Sequence, residues 1–315
     1  MHAPLDDLLP SLLHARNGKL RQVGVEIEFL GPSARTSAEA LARDLGGDLV
    51  AEDPHAYKVR GSRVGDLGVD LDLRYVHPQR HPGLGFGMGN GRGVSFGARG
   101  AAWLGVAASP VVPRELITAP LPFGRLHEMD DVVASLRGAG ARGRGTILLD
   151  ALSLHFNIDP PGLDSETVTA YLKAFLLLEG RFRRDIARGS RWLARVLPPQ
   201  YPDSYVRRVL APDYWPDLTT LAADYLRANP SRKRALDMLP LLTFLDEEGV
   251  RAVLPHEKIG RRAVFHYRLP LAFPGEAGWS VMPDWRRWLE VERLADDREA
   301  LSAMGRDFEV SPPGV

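Results

Sequence analysis

The 315-residue sequence predicts an α+β fold: an antiparallel β-sheet with helices packed behind it and a wet front face. Three observations predict it. Short segments such as "GVEIEF" (24–29) and "AVFHYRLP" (263–270) alternate apolar and polar residues with the period of a half-buried strand. Amphipathic helical stretches are interspersed among these segments. Several strands carry all their polar residues on one side, as an antiparallel sheet open to water on that side does.

The elements follow in order. Leucines 5, 8, 9, 12 and 13 predict a short amphipathic helix over 5–16. "GVEIEF" is a strand. "TSAEALARDLGG" (36–47) is a helix with Ser37 as N-cap and Gly46–Gly47 as its stop. "AYKVRG" and "GVDLDLRYVH" are strands. Residues 81–100 are glycine-dense but hold neither a P-loop nor G-x-G-x-x-G, and read as a flexible loop. "PRELITAPL" is a strand ending at a proline. "HEMDDVVASLRGAG" is a helix with Met129, Val132, Val133 and Leu136 on one side, and "TILLDALSLHFNID" is strand material. From Asp164, an N-cap, to about residue 250 the pattern is mostly helical, broken at the proline-rich stretches 198–202 and 212–216. "AVFHYRLPL" returns to strand and "DWRRWLEVERL" to helix. The length allows one large domain or two small ones; the chain is read as a single domain over 1–300, with a mostly helical insertion at about 164–250 and a loose tail over 301–315.

Composition removes some function classes. Basic and acidic residues number 40 each, so no general attraction to nucleic acid or anionic membrane is implied. The absence of cysteine excludes disulfides, thiolate catalysis and cysteine-based zinc sites. The N-terminus "MHAPLDDLLPSLLHARNGKL" has acids and a proline among its leucines. It reads as neither a secretion signal nor a span, no later apolar run is long enough to cross a bilayer, and the chain fits the cytoplasm. There is no H-E-x-x-H helix, no G-x-S-x-G elbow and no kinase signature.

The polar faces of the strands carry the chemistry. Glu26 and Glu28 leave one side of the first strand while Val25, Ile27 and Phe29 take the other. Two like charges so placed repel unless a cation or water separates them. "GVDLDLRY" adds Asp70, Asp72 and Arg74; "RELIT" adds Glu115; "SLHFNID" adds Ser153, His155, Asn157 and Asp159; "AVFHYRLP" adds His266 and Arg268. Each pair alone is ordinary: a solvated strand face, a hydrogen-bonded core histidine, an arginine in a structural pair. The same framing across five separated segments favours one basin of hard oxygen donors with two imidazoles. Carboxylates select magnesium or manganese, and an imidazole can join them. Magnesium on an open face commonly holds phosphates, and arginine forks phosphate oxygens. A metal-dependent phosphohydrolase or a non-catalytic nucleotide-binding module fits the same residues.

The order G-x-E-x-E-F, D-x-D, "ELITAPL", "LHFNID" and "HEKIGRRAVFHYRLP" resembles the amidoligase family of the carboxylate–amine ligase superfamily, to which glutamine synthetase and glutamate–cysteine ligase belong. "ELITAPL" is similar to the family's E-L-V-S-P-P-L, whose glutamate falls on Glu115. "LHFNID" is similar to its H-x-H or H-x-N segment, matching His155 and Asn157. The last strand is similar to T-I-E-F-R, matching Arg268 and placing His266 where the family has glutamate. The resemblance runs from about residue 22 to 270 and implies a curved antiparallel sheet of the glutamine synthetase/glutamate–cysteine ligase kind with helices on its outer face. It implies an ATP-dependent ligase joining a small-molecule or peptide carboxylate to an amine or ammonia through an acyl phosphate. It assigns Glu26, Glu28, Asp72, Glu115, His155 and His266 to Mg2+ or Mn2+, and Lys258 and Arg268 to the nucleotide. Arg268 would also steady the transferring phosphoryl, Asn157 would orient substrate or a metal-bound water, and Asp70 would support the ligands. Neither an oligomeric state nor the identity of acid and amine follows.

Overall fold

The computed structural model describes residues 9–71, 113–143 and 152–310. Asp72 and Arg74, the glycine-dense segment and residues 146–151 of the expected strand material lie outside the described residues, as do residues 5–8 of the expected N-terminal helix and residues 311–315.

The chain runs β1 (Gln22–Phe29), α1 (Ala34–Leu45), β2 (Asp48–Asp53), β3 (Ala56–Ser62), β4 (Gly65–Leu71), β5 (Arg114–Thr118), β6 (Leu121–Pro122) and, after a 3-10 turn, α2 (Met129–Gly138). Then come β7 (Leu154–Ile158), α3 (Ser165–Ala187), α4 (Arg191–Val196), α5 (Asp203–Leu210), α6 (Leu218–Ala228), β8 (Leu236–Asp237), α7 (Leu239–Leu245), α8 (Glu247–Val253), β9 (Phe265–Tyr267), α9 (Met282–Asp296) and α10 (Arg298–Val310). One sheet of nine strands joins them in the order β2-β3-β4-β5-β1-β7-β9-β8, with β6 paired to one end of β1. Every pairing is antiparallel. The chain is thus mixed α and β around a large antiparallel sheet.

Side-chain alternation sets the two faces. Val23, Val25, Ile27 and Phe29 of β1 are fully buried on one face, with Leu116 of β5 and Phe156 of β7 beside them. Helices α1 and α2 pack together, α1 also covering β3 and β4, while α3 and α9 pack against each other. An aromatic layer joins α3 and α9 to β7 and β9: Tyr171 stacks on Phe265 at 5.0 Å, Trp288 meets Tyr267 at 5.6 Å and Trp285 meets Phe156 at 5.9 Å. Burying an aromatic ring contributes about 1.5–3 kcal/mol, so this layer fixes where β9 sits.

Several elements differ from the sequence reading for identifiable reasons. Residues 9–16 are not helical. Pro10 supplies no N–H and disfavours the helical conformation for Leu9. The chain instead turns at Gly18, φ 81°, and bridges His14 to Leu20, leaving Leu12 and Leu13 exposed. Helix α1 is capped by Ser33, whose hydroxyl accepts the Thr36 N–H at 3.0 Å; Ser37 lies a turn inside and donates to the Ser33 carbonyl at 2.9 Å. Two serines four apart both suit a cap, and Ala34 and Arg35 favour the longer helix. Its stop does fall at Gly46–Gly47, both at positive φ, and a Cβ on Gly47 would lie 2.6 Å from the Arg60 carbonyl oxygen. Strand β2, "DLVAED", is an edge strand with none of its residues buried, and so carries no hydrophobic alternation to read from the sequence. Residues 301–310 are helical in α10 with Leu301 buried, so the tail is not loose from 301. The front face is also not wet throughout: all five residues of β7 are buried. Among the described residues no helix is long and apolar enough to cross a membrane.

Asp284, in the first turn of α9, is buried beside Arg287. Burial pushes its carboxyl up to about 6, against the pull of the Arg287 guanidinium. The folded chain therefore holds this proton more tightly than the unfolded chain. Its cost is complete above about pH 6 and disappears as pH falls toward the ordinary aspartate range. Asp284→Asn is expected to raise stability above pH 7 by on the order of 2–3 kcal/mol and to lose that advantage near pH 4. Urea unfolding of both proteins at a series of pH values checks this, and parallel pH profiles refute it.

Candidate functional site

Strand order brings the polar faces of β4, β5, β1, β7, β9 and β8 side by side. In the first row Asp70 stands opposite Glu115, which stands opposite Glu28. In the second Glu26 faces His155; in the third Asn157 faces His266, which faces Asp237. Opposed Cβ atoms in such pairs lie about 4.5–5.5 Å apart, so three carboxylates in a row repel unless positive charge is close. Glu28 is steadied from one side, accepting the Ser153 N–H at 2.9 Å.

Glu26 is the centre of the second cluster. Its Oε1 accepts from Asn157 Nδ2 at 2.8 Å and lies 3.5 Å from Arg262 Nη1. Its Oε2 lies 3.0 Å from His155 Nδ1 and 3.8 Å from His266 Nε2. Behind His266, Asp237 Oδ2 is 3.6 Å from Nδ1. The two imidazoles meet edge to face at 5.2 Å. Burial alone would raise the Glu26 carboxyl, but the two nearby rings override it and hold it well below the ordinary carboxylate range. Burial pushes the His155 imidazole down despite the pull of Glu26, and His266 and Arg268 add to the lowering. Neutral pH thus finds an ionised carboxylate beside a neutral imidazole, the forms in which each binds a metal.

These residues open into a cavity of about 450 Å3, whose lining takes in Glu26, Glu28, Glu115, His155, His266 and Arg268 from the sheet. Arg232, Lys233 and Arg262 add a cationic part to that lining, beside Ser231 and Glu257. Asp70 and Asn157 stand on the same sheet face outside that lining. Lys258, expected to hold nucleotide phosphate, is exposed; its backbone carbonyl accepts from Arg232 at 2.6 Å, and Lys233 is the lysine that lines the cavity. Arg183, Arg184, Arg191 and Arg195 line a separate cavity of about 710 Å3.

The donors fit a divalent ion. Glu26, His155 and His266 each offer a ligand atom within 4.8 Å of the others. Ligands of one ion bound at about 2.1 Å lie roughly 3–4 Å apart. Both ring nitrogens of His266, Asp237 Oδ2 and Asn157 Oδ1 are buried without a hydrogen-bond partner. Orphaned buried polar atoms are costly, and a cation beside His266 would satisfy part of this set.

Sequence reasoning missed Asp237, Arg232, Lys233 and Arg262. Asp237 sits on a two-residue strand, too short to show alternation. The run "SRKR" at 231–234 was the visible signal for the cationic wall.

Comparison with protein families finds that the model described as "Putative amidoligase enzyme" matches residues 19–290. That span includes every strand of the sheet and all the residues of the cavity. Comparison with curated proteins and with solved structures finds no match. With the match covering most of the chain, this protein belongs to the amidoligase family.

Proposed function

We propose that this protein is a carboxylate–amine ligase that uses ATP with Mg2+ or Mn2+ to form an amide or peptide bond, on a sheet of the glutamine synthetase/glutamate–cysteine ligase kind. One observation carries the reading: in a chain of this family, one cavity gathers carboxylates and imidazoles of a sheet face together with Arg232, Lys233, Arg262 and Arg268. Such a two-signed cavity suits a metal–polyphosphate complex. The bound divalent ions would supply neutralisation of phosphate charge.

In this reading the γ-phosphoryl passes from ATP to a carboxylate oxygen, releasing ADP. The amine nitrogen then attacks the acyl carbon, loses a proton, and phosphate departs. The protein's part is positioning and charge balance. Glu28 and Glu115 form the oxygen-rich metal face, to which the family resemblance adds Asp72, and Asp70 supports Glu115 from the next strand. Glu26, His155 and His266 form the second metal face, and Asn157 fixes Glu26 and orients substrate. Arg268 steadies the transferring group, while Arg232, Lys233 and Arg262 hold nucleotide phosphates in the place expected of Lys258.

The test is ADP release with pooled carboxylates and amines, followed by mass spectrometry of the amidated product. Release should require both substrates and a divalent ion, and Glu115→Gln should lower it about a hundredfold without altering circular dichroism. Phosphate release that ignores the amine would identify a phosphohydrolase. ATP binding without turnover would identify a non-catalytic member of the family.

A further inference from the structure

We infer that the Glu26–His155–His266 cluster is a site for a borderline first-row transition ion, such as Zn2+, in preference to Mg2+, with Asp237 as the residue that positions His266. The inference rests on the reading of the cavity as metal-binding, not on ligation.

The donor set is the first reason. Magnesium demands near-octahedral oxygen ligation and gives up water reluctantly, whereas imidazole suits zinc, iron, copper and nickel. Here two of three convergent donors are imidazole nitrogens, and one carboxylate, Glu26, faces both at 3.0 and 3.8 Å. Burial is the second. His155, Asn157 and His266 are buried, which disfavours an ion that keeps several waters.

Asp237 is the third. It is fully buried, its Oδ1 accepts the Leu239 N–H at 3.1 Å, and its Oδ2 has no hydrogen-bond partner. That oxygen lies 3.6 Å from His266 Nδ1 and 3.9 Å from Arg232 Nε. At 3.6 Å this is an electrostatic approach and not a hydrogen bond; a carboxylate on the Nδ1 side favours the proton there and leaves Nε2, the nitrogen nearer Glu26, as the donor atom for an ion. Arg232 supplies the near countercharge for this buried carboxylate, and an ion at His266 Nε2 would add to it. Glu28 and Glu115, which also line the cavity, offer only oxygen donors and so suit different ions from the imidazole cluster.

The test is equilibrium binding of Zn2+, Mn2+ and Mg2+ to the metal-stripped full-length protein by calorimetry, with Mn2+ also followed by electron paramagnetic resonance. The wild type should bind one Zn2+ at least about tenfold more tightly than it binds Mg2+, with Mn2+ following Mg2+ more closely than Zn2+. His266→Glu should shrink or invert that ratio. Asp237→Asn, an isosteric change, should weaken Zn2+ by roughly 10–100-fold while circular dichroism stays unchanged. Equal affinities for Mg2+ and Zn2+, or an unaltered ratio in His266→Glu, would overturn the inference, as would binding of no ion. Amide formation measured on the same samples is independent: ligation supported by Mg2+ with no transition-ion preference leaves the ligase reading standing alone. The expected binding without ligation leaves the metal inference standing alone.

Discussion

Glu26→Gln is expected to reduce metal-dependent ATP consumption at least about a hundredfold while leaving the fold intact. The side chain receives Asn157 at 2.8 Å and lies 3.0 Å from His155 and 3.8 Å from His266, so one carboxylate organises three neighbours. Glutamine has the same shape. Its amide oxygen can accept from Asn157, and its amide N–H can donate to a neutral His155 Nδ1. The local hydrogen bonds survive, but the negative charge that holds a cation between two imidazoles is lost. Measuring ATP turnover beside thermal unfolding separates the possibilities. Undiminished turnover would remove Glu26 from the site, and a collapse in melting temperature would give it a structural role instead.

The largest stability effect is expected far from this cavity. Arg21 Nη1 and Nη2 donate to Glu292 at 3.0 and 2.6 Å, and both side chains are fully buried. Tyr171 and Trp288 also donate to Glu292, at 2.5 and 2.8 Å, while Arg21 donates to the carbonyls of Leu12 and Asp159. The pair ties the chain entering β1 to α9 and α3. Glu292→Ala strands a guanidinium in the core and is expected to cost about 3–5 kcal/mol, lowering the melting temperature by several degrees or more. Replacing both partners, Arg21→Met with Glu292→Leu, removes the unpaired charge and should recover most of that loss. A single-mutant cost below about 1 kcal/mol, or a double mutant no better than the single, would show that the network is not what anchors β1.

Helix boundaries set by local chemistry were readable in the chain. Asp164 does cap α3, its carboxylate accepting the Thr167 N–H at 2.9 Å, because capping involves neighbours three residues apart. Ser33 against Ser37 was not decided locally, since both serines satisfy the same rule. Alternation also placed Glu26, Glu28, Glu115, His155 and His266 on the polar side of their strands, a direct consequence of the pleat. It did not show that this side is partly roofed. Burial of His155 and His266 depends on what folds over them from 229–262, which no period of two records.

The sequence by itself determined which side of each strand carries charge, because a strand turns every second side chain the same way whatever surrounds it. Only the tertiary structure decided which charges meet. With β1 between β5 and β7, Glu28 faces Glu115 and Glu26 faces His155, and β8 delivers Asp237 behind His266. Residues more than two hundred positions apart, such as Glu26 and Arg262, come within 3.5 Å through strand order and core packing. Those are properties of the whole chain's burial, and no local pattern of residues carries them.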